Sequence, residues 1–387
     1  MSAKSILKLL VLPVWILILC SCSFVEIVEI DDRLIITALG IDVTDEGYEV
    51  TVQALNTSSG ASENSSSQGS SGASQATQHF SVSGETVGDA LLQIYTKTGF
   101  KPLYSQARIL VLGKRAAQEK LSQSLDFFLR EYATRTDILL AVSLSTAKEV
   151  VSASFGDSSI GAKELENAVK SGEYTSKSVT VPLYKFINLI SGETDCAYCP
   201  VIGIEKNEFS ENMIAFVYGT ALFYDNTLQT VINDEDTLGL MLLTNQAGGA
   251  SIPVETPNGT YTLGIVSGKT KLKPTISEDK ALFNIGTTLR CDIVEYENAD
   301  FSVISEEDIE IIKKNALEII GKRLEQTLKI SFFANNCDIC RFGKILMLKD
   351  TDFYNKYISQ GDFADKIQYS LDIKISVRRV GKESLFA

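Results

Sequence analysis

Histidine is all but missing from this chain of 387 residues: His79 is the only one. A Ser/His/Asp or Cys/His constellation has a single imidazole to draw on, and that one lies beside a low-complexity stretch. Zinc hydrolysis of the HExxH kind needs two histidines and is excluded. Tryptophan is equally scarce. Trp15 is the only one and falls in the N-terminal apolar run, so the folded body has no indole for a ligand cage. Basic residues are outnumbered, 36 against 49 acids, for a formal charge of −13. That balance argues against nucleic acid, whose phosphates require a basic field. It also argues against adhesion to anionic lipid by net charge alone. Walker, GxGxxG, GxSxG and EF-hand patterns are missing too. Together these absences point away from an enzyme.

What is present is ample for a folded body. Hydrophobic residues make up 44% and charged residues 22%, a globular composition of two or three domains by length. The N-terminus reads as a signal peptide. Lys4 and Lys8 precede an apolar run from Leu9 to Leu19, which ends in Leu19-Cys20-Ser21-Cys22. The run is short for a spanning helix, and small residues before a cysteine favour processing. Cys22 is the expected lipidation site. Cys20 is the poorer candidate, because Leu19 would stand directly before it. Cleavage removes Lys4 and Lys8 and no acid, leaving the mature chain two units more negative. Acyl chains anchor by about 0.8 kcal/mol per buried CH₂.

Periodicity gives a mixed pattern. Strands are predicted over 33–42 and 48–55 around the turn Asp45-Glu46-Gly47, then over 79–83, 108–113 and 138–144. Residues 56–78 are almost wholly Ser, Gly, Ala, Asn, Gln and Thr and read as a flexible loop inside the first domain. Val87, Ala90, Leu91 and Ile94 have helical spacing up to Gly99. Ala117, Leu121, Leu125, Phe128 and Leu129 predict one further amphipathic helix. Shorter helices are expected over 147–155, 162–171 and 182–190. A hairpin is expected at 214–224 and 228–232, a helix at 235–243, and strands at 252–255, 261–273 and 281–296. Ser305-x-x-Asp308 opens the clearest helix, with Ile309, Ile312, Ala316, Ile320, Leu324 and Leu328 on one face. Residues 369–380 alternate as a terminal strand. The expected fold is α+β and multi-domain: mixed or antiparallel sheets with packed helices, and a long helix on a C-terminal antiparallel sheet. The expected division is a signal peptide at 1–21, an N-terminal domain at 22–200 and a C-terminal domain at 201–387, the last subdivided near 250–280.

Two CxxC pairs, Cys196/Cys199 and Cys337/Cys340, are the most distinctive chemistry. Four thiolates at this spacing can enclose a structural zinc. Two local disulfides, a redox pair and free loop cysteines are the alternatives. A thioredoxin-like site is disfavoured, since neither pair shows a strand before and a helix after. Cys291 reads as a small buried apolar residue. Asp234-Glu235-Asp236 and Glu306-Glu307-Asp308 fall where helices begin, and dipole complementarity accounts for them. Lys269, Lys271 and Lys273 alternate along a strand as an exposed face or edge protection. A lipid-headgroup contact is the weaker reading.

Several blocks, taken in order, resemble the Ger(x)C family, the C subunits of spore germinant receptors. They are Leu19–Cys22, Thr37–Asp42 with Tyr48–Gln53, Arg108–Gly113, Leu125–Arg130 with Arg135, and Thr180–Leu183 with Pro200. Gly219–Phe223, Asp234–Gly239, Lys269–Pro274 and Arg379–Gly381 complete the series. The chain departs from the pattern at Val25-Glu26, where the family has Trp-Asp, and at Gln106, where it often has His. Its Ser/Gly loop is longer, and the four CxxC cysteines lie outside the pattern. The resemblance implies a non-enzymatic, lipid-anchored subunit on the outer face of the spore inner (cytoplasmic) membrane. Its expected partners are integral-membrane A and B subunits, for which it serves as scaffold or coupling element. A solute-binding lipoprotein of an importer is the alternative, though two large βαβ lobes are not evident.

Overall fold

Alternating apolar positions build two sheets. The computed structural model describes residues 32–55, 77–131, 134–153, 161–208, 213–297, 304–359, 363–380 and 383–384. The expected signal peptide and Cys22 lie outside the described residues, as does most of the Ser/Gly loop. The first sheet draws on β1 (Arg33–Thr44), β2 (Gly47–Leu55), β3 (Thr77–Gly84), β4 (Lys101–Leu103), β5 (Ile109–Leu112), β6 (Leu139–Ser143), β7 (Cys196–Lys206), β8 (Met213–Tyr224) and β9 (Thr227–Asn233). Its order is β3-β2-β1-β5-β6-β7-β8-β9, with β4 on β1 off that path. The β1–β5, β5–β6 and β6–β7 pairs are parallel, flanked by antiparallel hairpins. Strands with helices on both faces must be apolar on both, and β5 and β6 are buried throughout. The sheet continues through Asn233, past residue 200.

The helices of this half are α1 (Val87–Thr98), α2 (Lys114–Glu119), α3 (Leu121–Arg130), α4 (Ala147–Ser152), α5 (Gly161–Lys170), α6 (Gly172–Thr175) and α7 (Leu183–Ile190). Thr86 caps α1, and Gly99 ends it at φ 76°, the left-handed conformation glycine adopts freely. The single helix expected around Ala117–Leu129 is two: Lys120, at φ −142°, breaks the path between α2 and α3. The β8–β9 hairpin turns on Asp225 and Asn226, both with positive φ, as a two-residue turn matching strand twist requires.

The second sheet is β10 (Ala250–Thr256), β11 (Gly259–Ile276), β12 (Ala281–Tyr296), β13 (Ile367–Val380) and β14 (Glu383–Ser384), in that order. On its inner face lies α9 (Glu306–Leu328), and the capping box between Ser305 and Asp308 is present. Ile309, Ile312, Ala316, Ile320, Leu324 and Leu328 are all buried, each of the larger ones contributing about 1.5–3 kcal/mol. A π-helical turn, Lys329–Phe333, follows α9. The sheet is antiparallel except between β12 and β13, which are parallel, a correction to the expectation of an antiparallel C-terminal sheet. The chain reaches β13 through α9, α10 (Phe342–Lys349) and α11 (Thr351–Tyr357), and a helical crossover brings it back in the same direction where a hairpin cannot. Between the sheets sits α8 (Asp234–Leu243). One apolar cluster runs from β1 to β13, and a smaller one lies under α4 and α5. Leu34 onward forms one compact unit.

Candidate functional site

The block Thr37–Asp42 is a packing junction. Asp42 lies near the end of β1, and its carboxylate accepts from Ala147 N at 2.8 Å and Lys148 N at 2.9 Å, capping α4. The strand and helix approach so closely that a Cβ on Gly40 would stand 3.0 Å from the Ala147 carbonyl oxygen, and one on Gly113 1.9 Å from Asp42 Oδ1. Burial pushes the Asp42 carboxyl up, and the two N–H donors oppose that rise. Nearby, Thr37 donates to Gln53 Oε1, which also takes Ala162 N at 2.9 Å. Gln53 Nε2 meets His79 Nε2 at 3.1 Å. The single imidazole is thus a member of a hydrogen-bonded lattice on β1–β3, and burial pushes its pKa down. Pro182 bridges to Leu139, and Leu183 N donates to the Ile138 carbonyl, so Thr180–Leu183 extends the sheet before α7.

The other family blocks are close approaches as well. A Cβ on Gly219 would meet the Ile232 carbonyl oxygen at 2.1 Å, and one on Gly239 would meet Thr327 Oγ1 at 2.1 Å. The α8 helix therefore lies directly against α9, with Thr327 donating to the Asp236 carbonyl at 2.9 Å. Both acidic triplets occupy first helical turns, of α8 and α9, as the dipole argument expects.

The four CxxC cysteines gather where the first sheet meets the C-terminal helices. Cys196, at the start of β7, forms a disulfide with Cys337, with a Cα–Cα distance of 5.1 Å and a sequence separation of 141. Cys337 Sγ also lies 3.2 Å from the Phe223 carbonyl oxygen of β8. Cys199 and Cys340 are buried thiols, and burial raises both far above the ordinary thiol range. The bridge runs across the pairs, so neither CxxC closes a local disulfide. Among the described residues no cluster of three or more His, Cys, Asp or Glu is arranged to hold a metal. Cys291 is a fully buried free thiol.

Beside the bridge, Asp338 is buried and accepts from Phe342 N and Gly343 N, each at 2.9 Å, at the start of α10. Burial pushes its carboxyl up to about 6, against the pull of those N–H donors. Lys185 Nζ donates to Gln246 Oε1, and Gln246 Nε2 donates to Tyr198 Oη, both at 2.8 Å. Burial and the nearby Arg341 push Lys185 down. Glu193 and Lys344 close the seam at 3.1 Å. These contacts tie β7 and α7 to α8 and α10. Sequence reasoning missed Asp338. Its one visible trace is an acid a few residues ahead of the apolar run Phe342–Leu348.

Among the described residues, open grooves include two of note. One, of about 780 Å³, is walled by Tyr48, Val87, Lys120 and Phe127, with Lys120 5.2 Å above the Tyr48 ring. The other, of about 720 Å³, runs along α9 past Arg323, Lys329 and Tyr369. His79 borders neither.

Comparison with known proteins agrees with the order of these blocks. Residues 26–204 match the family described as the spore germination protein N-terminal domain, and residues 218–381 the one described as spore germination B3/GerAC-like, C-terminal. Spore germination protein B3 of Bacillus subtilis (strain 168) is 24% identical over 333 residues, 84% of this chain and 83% of that protein. A solved structure titled the crystal structure of the GerBC protein shares the fold, with a TM-score of 0.53 and 18% identity, covering 88% of this chain and 96% of that one. The class defined is a spore germination protein of two-sheet α/β build. This chain belongs to the Ger(x)C family, and its role lies in spore germination.

Proposed function

We propose that the chain is the lipid-anchored, non-enzymatic C subunit of a nutrient germinant receptor. In this reading Cys22 carries the acyl chains and holds the body at the outer face of the spore inner membrane. The integral A and B subunits are its partners, and the body acts as scaffold or coupling element. The observation that carries this reading is the ordered match of both family regions over 26–204 and 218–381. The stereochemistry supports a scaffold. The family blocks sit at caps and glycine contacts that hold elements together, and the sole imidazole is spent on a structural hydrogen bond. Among the described residues no helix is long and apolar enough to cross a membrane; the tether in this reading is the lipid. The cysteines are structural, and the work of the subunit requires no zinc or other cofactor.

The test is isolation of the tagged chain from detergent-solubilised dormant-spore membranes, followed by mass spectrometry. The expected result is an N-terminal peptide beginning at acylated Cys22, together with integral A and B subunits. Recovery with an importer permease and ATPase, or with an unmodified Cys22, contradicts the proposal.

A further inference from the structure

The charge of this protein is unevenly spread. The second sheet carries its helical layer on one face only; the opposite face of β11, β12 and β13 is open. Along β11, Lys269, Lys271 and Lys273 are exposed, while Thr270 between them is buried. Arg290 of β12 and Lys374 and Arg378 of β13 are exposed too. The register places them side by side: Lys269 is opposite Thr288, and Thr288 is opposite Lys374; Ser267, Arg290 and Ser376 form the next row. With roughly 4.8 Å between strands and 6.8 Å between same-face neighbours along a strand, the six cations spread over about 10 Å across the strands and about 27 Å along them. Four acids share the face: Asp372, which stands 3.6 Å from Lys374, the half-buried Asp292, and, toward the β10 end of the sheet, the exposed Glu295 and Glu255. Lys269, Lys271, Lys273, Arg290 and Arg378 form no ion pair with another described residue.

These lysines are not needed to protect the edge. Beyond Ile265, β11 has no β10 partner, but Asn245 covers that edge, its Oδ1 accepting from Thr270 N at 2.7 Å and its Nδ2 donating to Thr270 O at 3.0 Å. Pro274 removes a further donor from the strand. The cations project from the sheet face, where small side chains at Gly286, Thr288 and Ser370 leave the surface level. Exposed Val266, Leu282 and Val294 are scattered over the same face.

We infer that this face docks on an anionic phospholipid surface. A level array of long, mobile cations with scattered aliphatic side chains suits a fluid sheet of phosphates. A protein partner would call for a shaped recess or an aromatic anchor, and neither groove described above opens onto this face. The inference uses the proposed lipid tether only to bring the face to a bilayer. Net charge argues against adhesion; the local field of one face reverses that argument. Each basic residue close to an anionic bilayer contributes about fivefold to docking. Removing three of them shifts the docked population about a hundredfold.

The full acylated chain is reconstituted on vesicles of equal parts phosphatidylglycerol and phosphatidylcholine, and on phosphatidylcholine alone. Flotation reads the tether on both. Lysine acetylation, read by mass spectrometry, reports the face. The expected result is about tenfold slower acetylation of Lys269, Lys271, Lys273 and Lys374 on the anionic vesicles, lost in molar salt. K269Q/K271Q/K273Q is expected to float equally well but to lose protection at Lys374. Equal acetylation on both vesicle types overturns the inference even where flotation holds. Protection in native spore membranes but not on anionic vesicles also overturns it, assigning the face to an acidic protein. Failure to float on either vesicle counts against the tether alone.

Discussion

Burial gives the Asp338 carboxyl a different acidity in the folded and the unfolded chain. The carboxyl titrates near 6 when buried, against 3.8 in the open. A raised carboxyl pKa means the folded state binds the extra proton over that interval, so stability falls as pH rises from about 4 to about 6. The loss from this group is about 3 kcal/mol. Urea midpoints measured across that window are expected to decline, and Asp338→Asn is expected to flatten the decline; an unchanged slope in the variant would place the titration elsewhere. Asp42 gives a second outcome at this scale. Asp42→Ala leaves two N–H groups of α4 uncapped and is expected to cost about 1–2 kcal/mol by urea denaturation. The importance of Asp42 was visible in sequence as part of a family block, but its task was not. The partner N–H groups lie more than a hundred positions away, and only the fold brings them there. For Asp338 the residue type alone carries no mark of burial.

Among the elements, those with their own periodicity and caps were legible. The α9 helix has its capping box and six buried apolar positions where the spacing places them. The β8–β9 turn and the Gly99 stop are likewise local chemistry. Elements defined by tertiary contact were not. The β7 strand begins at the first CxxC cysteine, and its near-continuous apolar run reads equally well as loop or buried helix. The split of α2 from α3 rests on a backbone turn at Lys120 that no proline or glycine announces. Two outcomes test the element contacts. Gly239→Ala puts a methyl group where Thr327 Oγ1 and the Arg323 carbonyl already stand, and is expected to lower stability by about 1–3 kcal/mol. Loss of the Cys196–Cys337 bridge through Cys337→Ser is expected to cost about 2–4 kcal/mol, since it closes a long loop. Thiol counting on the native oxidised chain should find Cys199, Cys291 and Cys340 reactive only after denaturation. Four reactive CxxC thiols released together with one zinc would contradict the pairing.

At the scale of the whole molecule, composition gave the first direction. The sequence holds one histidine and no motif for phosphate or acyl chemistry. The structure adds that several family blocks are packing joints between elements and that the acidic body carries a cluster of exposed cations on one face of its second sheet. The family assignment places the body in spore germination, and the proposal makes it a tethered subunit that couples nutrient sensing to the rest of a receptor. Spores lacking this chain, and otherwise lacking a paralogue, provide the most direct test through dipicolinate release after nutrient addition. The account predicts that release is abolished, restored by the wild-type chain and not by Cys22→Ala, while germination by a non-nutrient trigger stays normal. Undiminished nutrient-triggered release from the deletion spores would contradict it.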